Sequence, residues 1–210
     1  METTTLASPR VDIGFVQTVR KVVLLVAIAI TGALCIFTAS RWPRNVHETI
    51  EWSGLALIFI CICGRTWCSL YIGGRKNSEV VALGPYSVSR NPLYVFSIIG
   101  AAGAGAQLGA ISTAIICGTL TWLVFLLVVL QEERYLLAEH GESYRAYLAR
   151  VPRFLPRLSQ WRNVEVLEVR SSALVTTFLD ACFFIAAAPV SEIVEYMQRA
   201  GLIHVFFHVP

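Results

Sequence analysis

The stretch ISTAIICGTLTWLVFLLVVL, residues 111–130, is the strongest structural signal in the chain, because it is 20 residues long and carries no charge. An α-helix needs about 20 mostly apolar residues to cross the hydrocarbon core of a bilayer. Composition agrees: 56% of the 210 residues are hydrophobic and 15% are charged, against about 25% charged in an ordinary soluble domain. The sequence therefore predicts an integral membrane protein, and its net charge of +3 gives no sign of a nucleic-acid partner.

Other apolar runs flank this stretch. They lie at Val22–Ala39, Trp52–Tyr71 and Leu93–Ala106 upstream, and at 173–190 downstream. The short joint Gln107-Leu108-Gly109 predicts a tight hairpin at a membrane face. We predict an all-α, polytopic transmembrane fold with four helices and a possible fifth at 173–190. Asp180 makes that fifth span uncertain unless it faces the bundle, since a carboxylate at the bilayer centre costs about 2.5–3.5 kcal/mol.

The distribution of basic residues predicts the orientation. Arg and Lys concentrate at the N-terminus, in the loop 73–90 and in the segment after Leu130, whereas the opposite side has only Arg41 and Arg44. Positively charged loops tend to remain cytoplasmic. We therefore expect the N-terminus and the segment 131–170 to face the cytoplasm.

The six cysteines lie within or beside apolar runs. They are Cys35, Cys61, Cys63, Cys68, Cys117 and Cys182. Cys61-Ile62-Cys63 has the wrong spacing for a zinc pair, and the chain lacks a second pair to complete four ligands. We expect buried, unreactive thiols and no bound metal.

The loop before the third apolar run predicts a defined helix start. Gly84-Pro85 sets a turn, Asn91 is a favoured N-cap, and Pro92 fits the first helical position. A helix N-terminus attracts anionic groups, and Arg90 stands beside this one. In the alternative interpretation, Arg90 only reaches from an interfacial helix to the headgroups.

Two adjacent carboxylates, Glu132 and Glu133, follow the fourth apolar run. The helix is expected to continue past them to a glycine stop near Gly141. Ionisable groups near the membrane are functional candidates, although the pair would also fit a solvated face neutralised by Arg134. A short helix with two tyrosines then ends at Pro152, and such a helix could equally lie at the interface.

In order and spacing, these segments resemble the integral membrane methyltransferases of the isoprenylcysteine carboxyl methyltransferase and phospholipid methyltransferase type. That family has a Gly-x-Tyr turn, Arg-His-Pro-x-Tyr, a helical hairpin, a Glu-Glu pair, Gly-x-x-Tyr-x-x-Tyr and Val-Pro. The corresponding elements here are Gly84/Tyr86, Arg90-Asn91-Pro92-Leu93-Tyr94, Glu132-Glu133, Gly141/Tyr144/Tyr147 and Val151-Pro152. The resemblance covers roughly residues 50–158.

The resemblance implies S-adenosylmethionine bound in a pocket at the cytoplasmic face. Carried over by position, the cofactor-binding residues are Val80, Val81, Tyr86, Asn91, Pro92, Leu93, Tyr94 and Glu132, and the catalytic residues are Arg90, Glu133 and Tyr94. The cofactor carboxylate would meet Arg90 and first-turn N–H groups, its ammonium or ribose would meet Glu132, and its sulfonium would meet an aromatic ring. By family position Glu132 rather than Glu133 is expected to point into the pocket, and because adjacent helix positions are about 100° apart, the two cannot face it equally.

The implied reaction is methyl transfer to a hydrophobic, membrane-resident, lipid-like acceptor. That acceptor is either an isoprenylcysteine-like carboxylate or a phospholipid-like amine. Asn91 stands where the carboxyl methyltransferases usually have His, and Val128 stands where relatives acting on prenylcysteine often have Arg, so the acceptor stays open. A non-catalytic scaffold or transporter-associated protein is the alternative. We divide the chain into N-terminal helices (1–72), a catalytic core (73–158) and a C-terminal extension (159–210).

Overall fold

The computed structural model describes residues 29, 31–33, 36–73 and 79–210. In chain order the elements are β1 (Thr38–Ser40), α1 (Arg44–Ile72), α2 (Pro85–Val88), α3 (Pro92–Ala106), α4 (Ile111–Arg150), a 3-10 turn (Leu158–Gln160), α5 (Ser171–Cys182), a second 3-10 turn (Phe183–Ala186), α6 (Ala187–Arg199) and β2 (Phe207–Val209). The predicted helical architecture is confirmed apart from two short strands. Most of the first predicted span, Val22–Ala39, lies outside the described residues.

Among the described residues, three helical stretches are long and apolar enough to cross a membrane: α1, α4 and the continuous stretch Ser171–Arg199. The apolar helix α3 has 15 residues and is shorter than these. Large apolar side chains, including Phe59, Ile115 and Leu179, are exposed along the long helices. Soluble monomers rarely expose extended apolar surface, so these side chains fit a multi-pass membrane protein whose helices face lipid.

Successive long helices run in opposite directions and define two ends of a bundle. α1 packs along α3, α3 packs along α4, and α5 packs along α1. Small residues allow the close approach of α1 and α3, since a Cβ atom at Gly64 would collide with the ring of Phe96. We call one end the Arg90 end; it contains the C-terminus of α1 and the N-terminus of α3. We call the other the His47 end; it contains the N-terminus of α1, the α3–α4 turn and the C-terminus of α6.

The possible fifth span is a helical stretch that continues beyond the apolar run. Helix persists through Pro189 to Arg199, because Pro189 lies in the first turn of α6, where its missing N–H is tolerated. Ala181 is buried with Ile58, whereas Asp180 is exposed. Asp180 therefore does not face the bundle.

A pair of short parallel strands, β1 and β2, closes the His47 end. Thr38 pairs with Phe207, and the Ser40 hydroxyl donates to the Gly109 carbonyl oxygen over 2.7 Å. Thr38 and Ala39 therefore belong to a strand, and the prediction that the first helix extends to Ala39 is wrong. The partner strand β2 lies near the C-terminus, so the pairing cannot be predicted from the residues around β1.

Candidate active site

A cavity of about 110 Å³ lies at the Arg90 end, and we call it the Arg90 cavity. It is lined by Ile72, Glu79, Val80, Val81, Tyr86, Arg90, Asn91, Leu93, Tyr94, Glu132, Glu133, Leu136, Tyr144 and Tyr147. The structure thus brings together all of the site residues predicted from the sequence except Pro92. Five lining residues were not predicted as site residues. Tyr144 and Tyr147 belong to a family motif that could have indicated them, whereas Ile72, Glu79 and Leu136 are ordinary residues of the flanking segments with no motif to mark them.

Glu133 is the centre of a buried ion-pair network. Its Oε1 lies 2.9 Å from Arg90 Nη1, and its Oε2 lies 2.8 Å from Arg153 Nη2. Only 8% of Glu133 is exposed, and a buried carboxylate requires such partners. The hydrogen bond from Arg153 to Glu133 raises the pKa of Arg153. The alternative that the Glu pair forms a solvated face with Arg134 is therefore wrong for Glu133.

Glu132 lies beside this network and contacts a different part of the cavity. The hydroxyl of Tyr94 donates to Glu132 Oε1 over 3.0 Å, and the ring of Tyr94 packs against Phe125 with centroids 4.6 Å apart. Both carboxylates line the cavity, so Glu132 is not alone in facing it. The wall formed by α4 is wide enough to include two adjacent helix positions, with Tyr94 contacting one and Arg90 the other.

The start of α3 is where the sequence predicted it, but its capping differs. The Asn91 side chain makes no cap hydrogen bond; its Nδ2 instead donates to the Arg153 carbonyl oxygen over 3.1 Å. The Tyr94 N–H donates to the Asn91 carbonyl oxygen, so this first-turn group is already bonded. Arg90 Nε is buried and has no hydrogen-bond partner among the described residues. Arg90 is therefore the better candidate donor to an anionic ligand group.

Residues 151–163, which we call the strap, cross over the loop that precedes α3. Arg157 N–H donates to the Val88 carbonyl oxygen over 2.9 Å, and Gly84 N–H donates to the Arg162 carbonyl oxygen over 2.7 Å. These backbone bonds hold the loop against the Arg90 cavity. Val80 and Val81 lie at the cavity edge but form no strand, so their predicted strand-like character is not seen.

Three tyrosines, Tyr86, Tyr144 and Tyr147, line the cavity. α4 continues to Gly141, as predicted, where a φ of 53° interrupts the helix and lets residues 142–150 change direction. This places Tyr144 and Tyr147 in buried positions, so the alternative of an interfacial helix is wrong for these side chains. The Tyr147 hydroxyl donates to the Tyr86 carbonyl oxygen over 2.8 Å. Burial raises the pKa of Tyr86 well above its ordinary value, so Tyr86 is a neutral phenol.

Val128 is 4% exposed and does not line the cavity.

The five cysteines within the described residues are free thiols; Cys61, Cys68 and Cys117 are buried as expected, whereas Cys63 is exposed.

Comparison with known proteins identifies the family. The model of the phospholipid methyltransferase family matches residues 64–143, the stretch that supplies most of the cavity. The chain is 31% identical over 179 residues to the cobalt-zinc-cadmium resistance protein CzcN of Cupriavidus metallidurans, covering 85% of this chain and 82% of that protein. It is 33% identical over 193 residues to the nickel-cobalt-cadmium resistance protein NccN of Alcaligenes xylosoxydans xylosoxydans, covering 91% and 87%. No solved structure gave a significant match.

The chain belongs to the phospholipid methyltransferase family of integral membrane proteins. This confirms the resemblance found in the motifs, which lie largely within the matched stretch. Both relatives are named for resistance to metals: cobalt, zinc and cadmium in one name, and nickel, cobalt and cadmium in the other.

Proposed function

We propose that the chain transfers a methyl group from S-adenosylmethionine to a hydrophobic acceptor that resides in the membrane. The observation that carries this proposal is the composition of the Arg90 cavity. A buried guanidinium lies there, whose Nε has no hydrogen-bond partner in the part of the chain that the structure describes, beside the carboxylate of Glu132 and the rings of Tyr86 and Tyr94. Family membership supports the same reaction.

The residues fit the charges of the cofactor. S-adenosylmethionine has one carboxylate and two cationic groups, an ammonium and a sulfonium. The cavity offers Arg90 to the carboxylate, and Glu79, Glu132 and Glu133 give it negative charge suited to a cation. An aromatic face also favours a sulfonium.

The cavity is smaller than its ligand requires. It encloses about 110 Å³, whereas sites for drug-sized ligands usually enclose roughly 300–1,000 Å³. Binding therefore requires lining side chains to move. Arg90 is one candidate, because its ion pair with Glu133 could be exchanged for one with the cofactor carboxylate.

For the acceptor we favour a lipid amine over a carboxylate. The position where an Arg would orient a carboxylate is the buried Val128, away from the cavity. S-adenosylmethionine supplies an electrophilic methyl group and leaves as S-adenosylhomocysteine, and a protonated lipid amine must first lose a proton so that its nitrogen lone pair can attack that methyl group. Glu132 can receive that proton, either directly or through the Tyr94 hydroxyl that is hydrogen-bonded to it, whereas Glu133 already binds two guanidinium groups.

The proposal also places the Arg90 end in the cytoplasm, where the cofactor is available. Its support is the concentration of Arg in the loop 73–90 and in the segment after Leu130, according to the tendency of positive loops to stay inside. A reporter fused near Gly141 and active on only one side of the membrane would test it.

Protection from thermal unfolding is a direct test of cofactor use. A ligand that binds only the folded state stabilises it in proportion to the logarithm of its concentration over its Kd. We expect S-adenosylhomocysteine to raise the apparent Tm of the detergent-solubilised protein, and NADPH to leave it unchanged. A folded protein that S-adenosylhomocysteine does not protect would overturn the proposal.

Variants locate the binding site within the same experiment. Arg90→Ala and Glu132→Ala should each weaken S-adenosylhomocysteine binding by about ten- to a hundredfold, the loss of one charged hydrogen bond in a partly desolvated site. Arg134→Ala is the matched control, because Arg134 is exposed next to the Glu pair and should leave binding unchanged.

A second candidate function is a role in resistance to metal ions without catalysis, favoured by the names of the two relatives. Expression of the chain in a metal-sensitive bacterial host separates the two. If the chain confers resistance to cobalt or zinc, and the double variant Arg90→Ala/Glu132→Ala confers it equally, resistance does not need methyl transfer.

A further inference from the structure

A second and larger cavity lies at the His47 end, on the opposite side of the bundle. It encloses about 950 Å³ between the start of α1, the α3–α4 turn and α6. We call it the His47 cavity. Only its edge, Gln107 and Leu108, falls within the stretch matched by the methyltransferase family.

Three potential metal ligands converge in this cavity. His47 and Glu51 lie one turn apart on α1, and Glu195 comes from α6. His47 Nε2 lies 3.2 Å from Glu51 Oε1 and 2.9 Å from Glu195 Oε1, and the three ligand atoms all lie within 4.8 Å of one another. Nitrogen and oxygen ligands about 2.0–2.1 Å from a tetrahedral zinc ion are separated by roughly 3.3 Å. The two separations from His47 Nε2 are therefore close to those that a cation would impose.

Without a cation, these three side chains have more acceptor oxygens directed at His47 Nε2 than this nitrogen has hydrogens to donate. A neutral imidazole has one N–H, so Nε2 can donate fully to only one of the two carboxylates that approach it. The three side chains are 15–20% exposed, which reduces the water available to separate the carboxylates. A divalent cation bound by all three would neutralise both carboxylates at once.

The surroundings hold these ligands in place and favour positive charge. Four carboxylates line the cavity, Glu48, Glu51, Glu192 and Glu195, against two guanidinium groups, Arg44 and Arg199. Arg199 pairs with Oε2 of Glu195, which leaves Oε1 directed at His47. On the other side the imidazole packs against Gly109, where a Cβ atom would collide with it.

We infer that His47, Glu51 and Glu195 bind a divalent transition-metal ion. One imidazole and two carboxylates suit Zn²⁺, Co²⁺ and Ni²⁺, and three protein ligands leave a position open for water or an exchangeable ligand. This differs from the expectation of no metal, which considered only the cysteines. The inference does not rest on methyl transfer, because none of the three residues lines the Arg90 cavity.

Titration of the purified, detergent-solubilised chain with Zn²⁺ tests the inference. We expect one Zn²⁺ per chain, and a weakening of at least about tenfold in His47→Gln, Glu51→Gln and Glu195→Gln. Each variant alters one of three ligands, and changing even an outer-shell partner of a ligand typically costs about 10–100-fold in metal affinity. His204→Gln is the control for adventitious imidazole binding, because His204 is exposed. Co²⁺ provides a second readout, with visible absorption bands whose intensity reports low-symmetry coordination.

The outcomes separate this site from the methyltransferase site. In the His47, Glu51 and Glu195 variants, unchanged protection by S-adenosylhomocysteine would show that the protein is folded. If S-adenosylhomocysteine does not protect wild type either, helical circular dichroism spectra equal to that of wild type show that the variants are folded. The inference is overturned if folded wild-type chain binds no Zn²⁺, or if His47→Gln binds it as tightly as wild type. It is equally overturned if His204→Gln abolishes binding.

Discussion

The two ends of the bundle distribute their charges differently. At the Arg90 end, the carboxylate of Glu133 has two guanidinium partners and Glu132 accepts a bond from Tyr94, so charge is spread over a polar wall. At the His47 end, two carboxylates approach a single imidazole nitrogen, so charge is focused on one point. Donors and acceptors distributed over a wall suit an organic ligand with several polar groups. Carboxylates directed at one point suit a single small cation.

Loss of Glu133 should have the largest effect and should be confined to the Arg90 end. Glu133→Ala leaves Arg90 and Arg153 without their shared partner, and breaking a buried pair typically costs about 3–5 kcal/mol. Because the Arg153 side chain is 37% exposed, we expect about 3 kcal/mol, measured by denaturant unfolding in detergent. Glu142→Ala is the control, since its pair with Arg145 is exposed. Equal stability of Glu133→Ala and wild type would contradict the network.

Gly109→Ala should disturb the His47 end and leave the Arg90 end intact. Gly109 has a φ of 61°, which costs other residues about 1–3 kcal/mol, and its Cβ would displace the imidazole of His47. We expect lower stability together with weaker Zn²⁺ binding. Gly201→Ala is the matched control, because Gly201 has a φ of 72° and open space around its Cβ position. Gly201→Ala should lose stability without losing Zn²⁺ affinity; equal Zn²⁺ affinity in both variants would show that the turn does not position His47.

Tyr147→Phe should produce a moderate loss at the Arg90 end. It removes the buried hydrogen bond to the Tyr86 carbonyl oxygen, worth about 1 kcal/mol on average, and loosens the loop that carries Arg90. We expect a lower apparent Tm and weaker S-adenosylhomocysteine binding with unchanged Zn²⁺ binding. Tyr196→Phe, at an exposed position, should change none of these. Cofactor affinity equal to wild type in Tyr147→Phe would mean that the loop does not need support from the Tyr147 hydroxyl.

The Arg90 end was predictable because its residues form local motifs. Asn91-Pro92 marked the helix start, and Gly141 marked the interruption of α4, since each acts through its own backbone geometry. The sequence could not show that Glu133 pairs with Arg153, because the strap must first fold back over the loop. Helix register also could not tell which of Glu132 and Glu133 lines the cavity, because the width of the cavity depends on how the helices and loops pack together.

The His47 end was largely invisible in the sequence. His47 and Glu51 have helical spacing that occurs by chance in many helices, and their third partner lies on α6, at the other end of the chain. The first two residues of β1 were included in a predicted span for the same reason. Apolar residues next to a long apolar run are predicted to be helical, because the distant strand that pairs with them is not recognisable from local sequence. A single sequence does not show which distant residues come into contact in the fold.

The smallest effect is expected for Glu48→Gln, which tests whether Zn²⁺ affinity comes from three ligand atoms or from the general negative charge of the His47 cavity. Glu48 lines that cavity but pairs with Arg44, and the two side chains are 48% and 88% exposed. Exposed ion pairs contribute little and are screened by salt. We therefore expect Zn²⁺ affinity to fall by about twofold or less at low salt, and the difference to vanish at high salt. A loss as large as that of Glu195→Gln, persisting at high salt, would mean that Glu48 leaves Arg44 to bind the metal and that the ligand set includes a fourth residue.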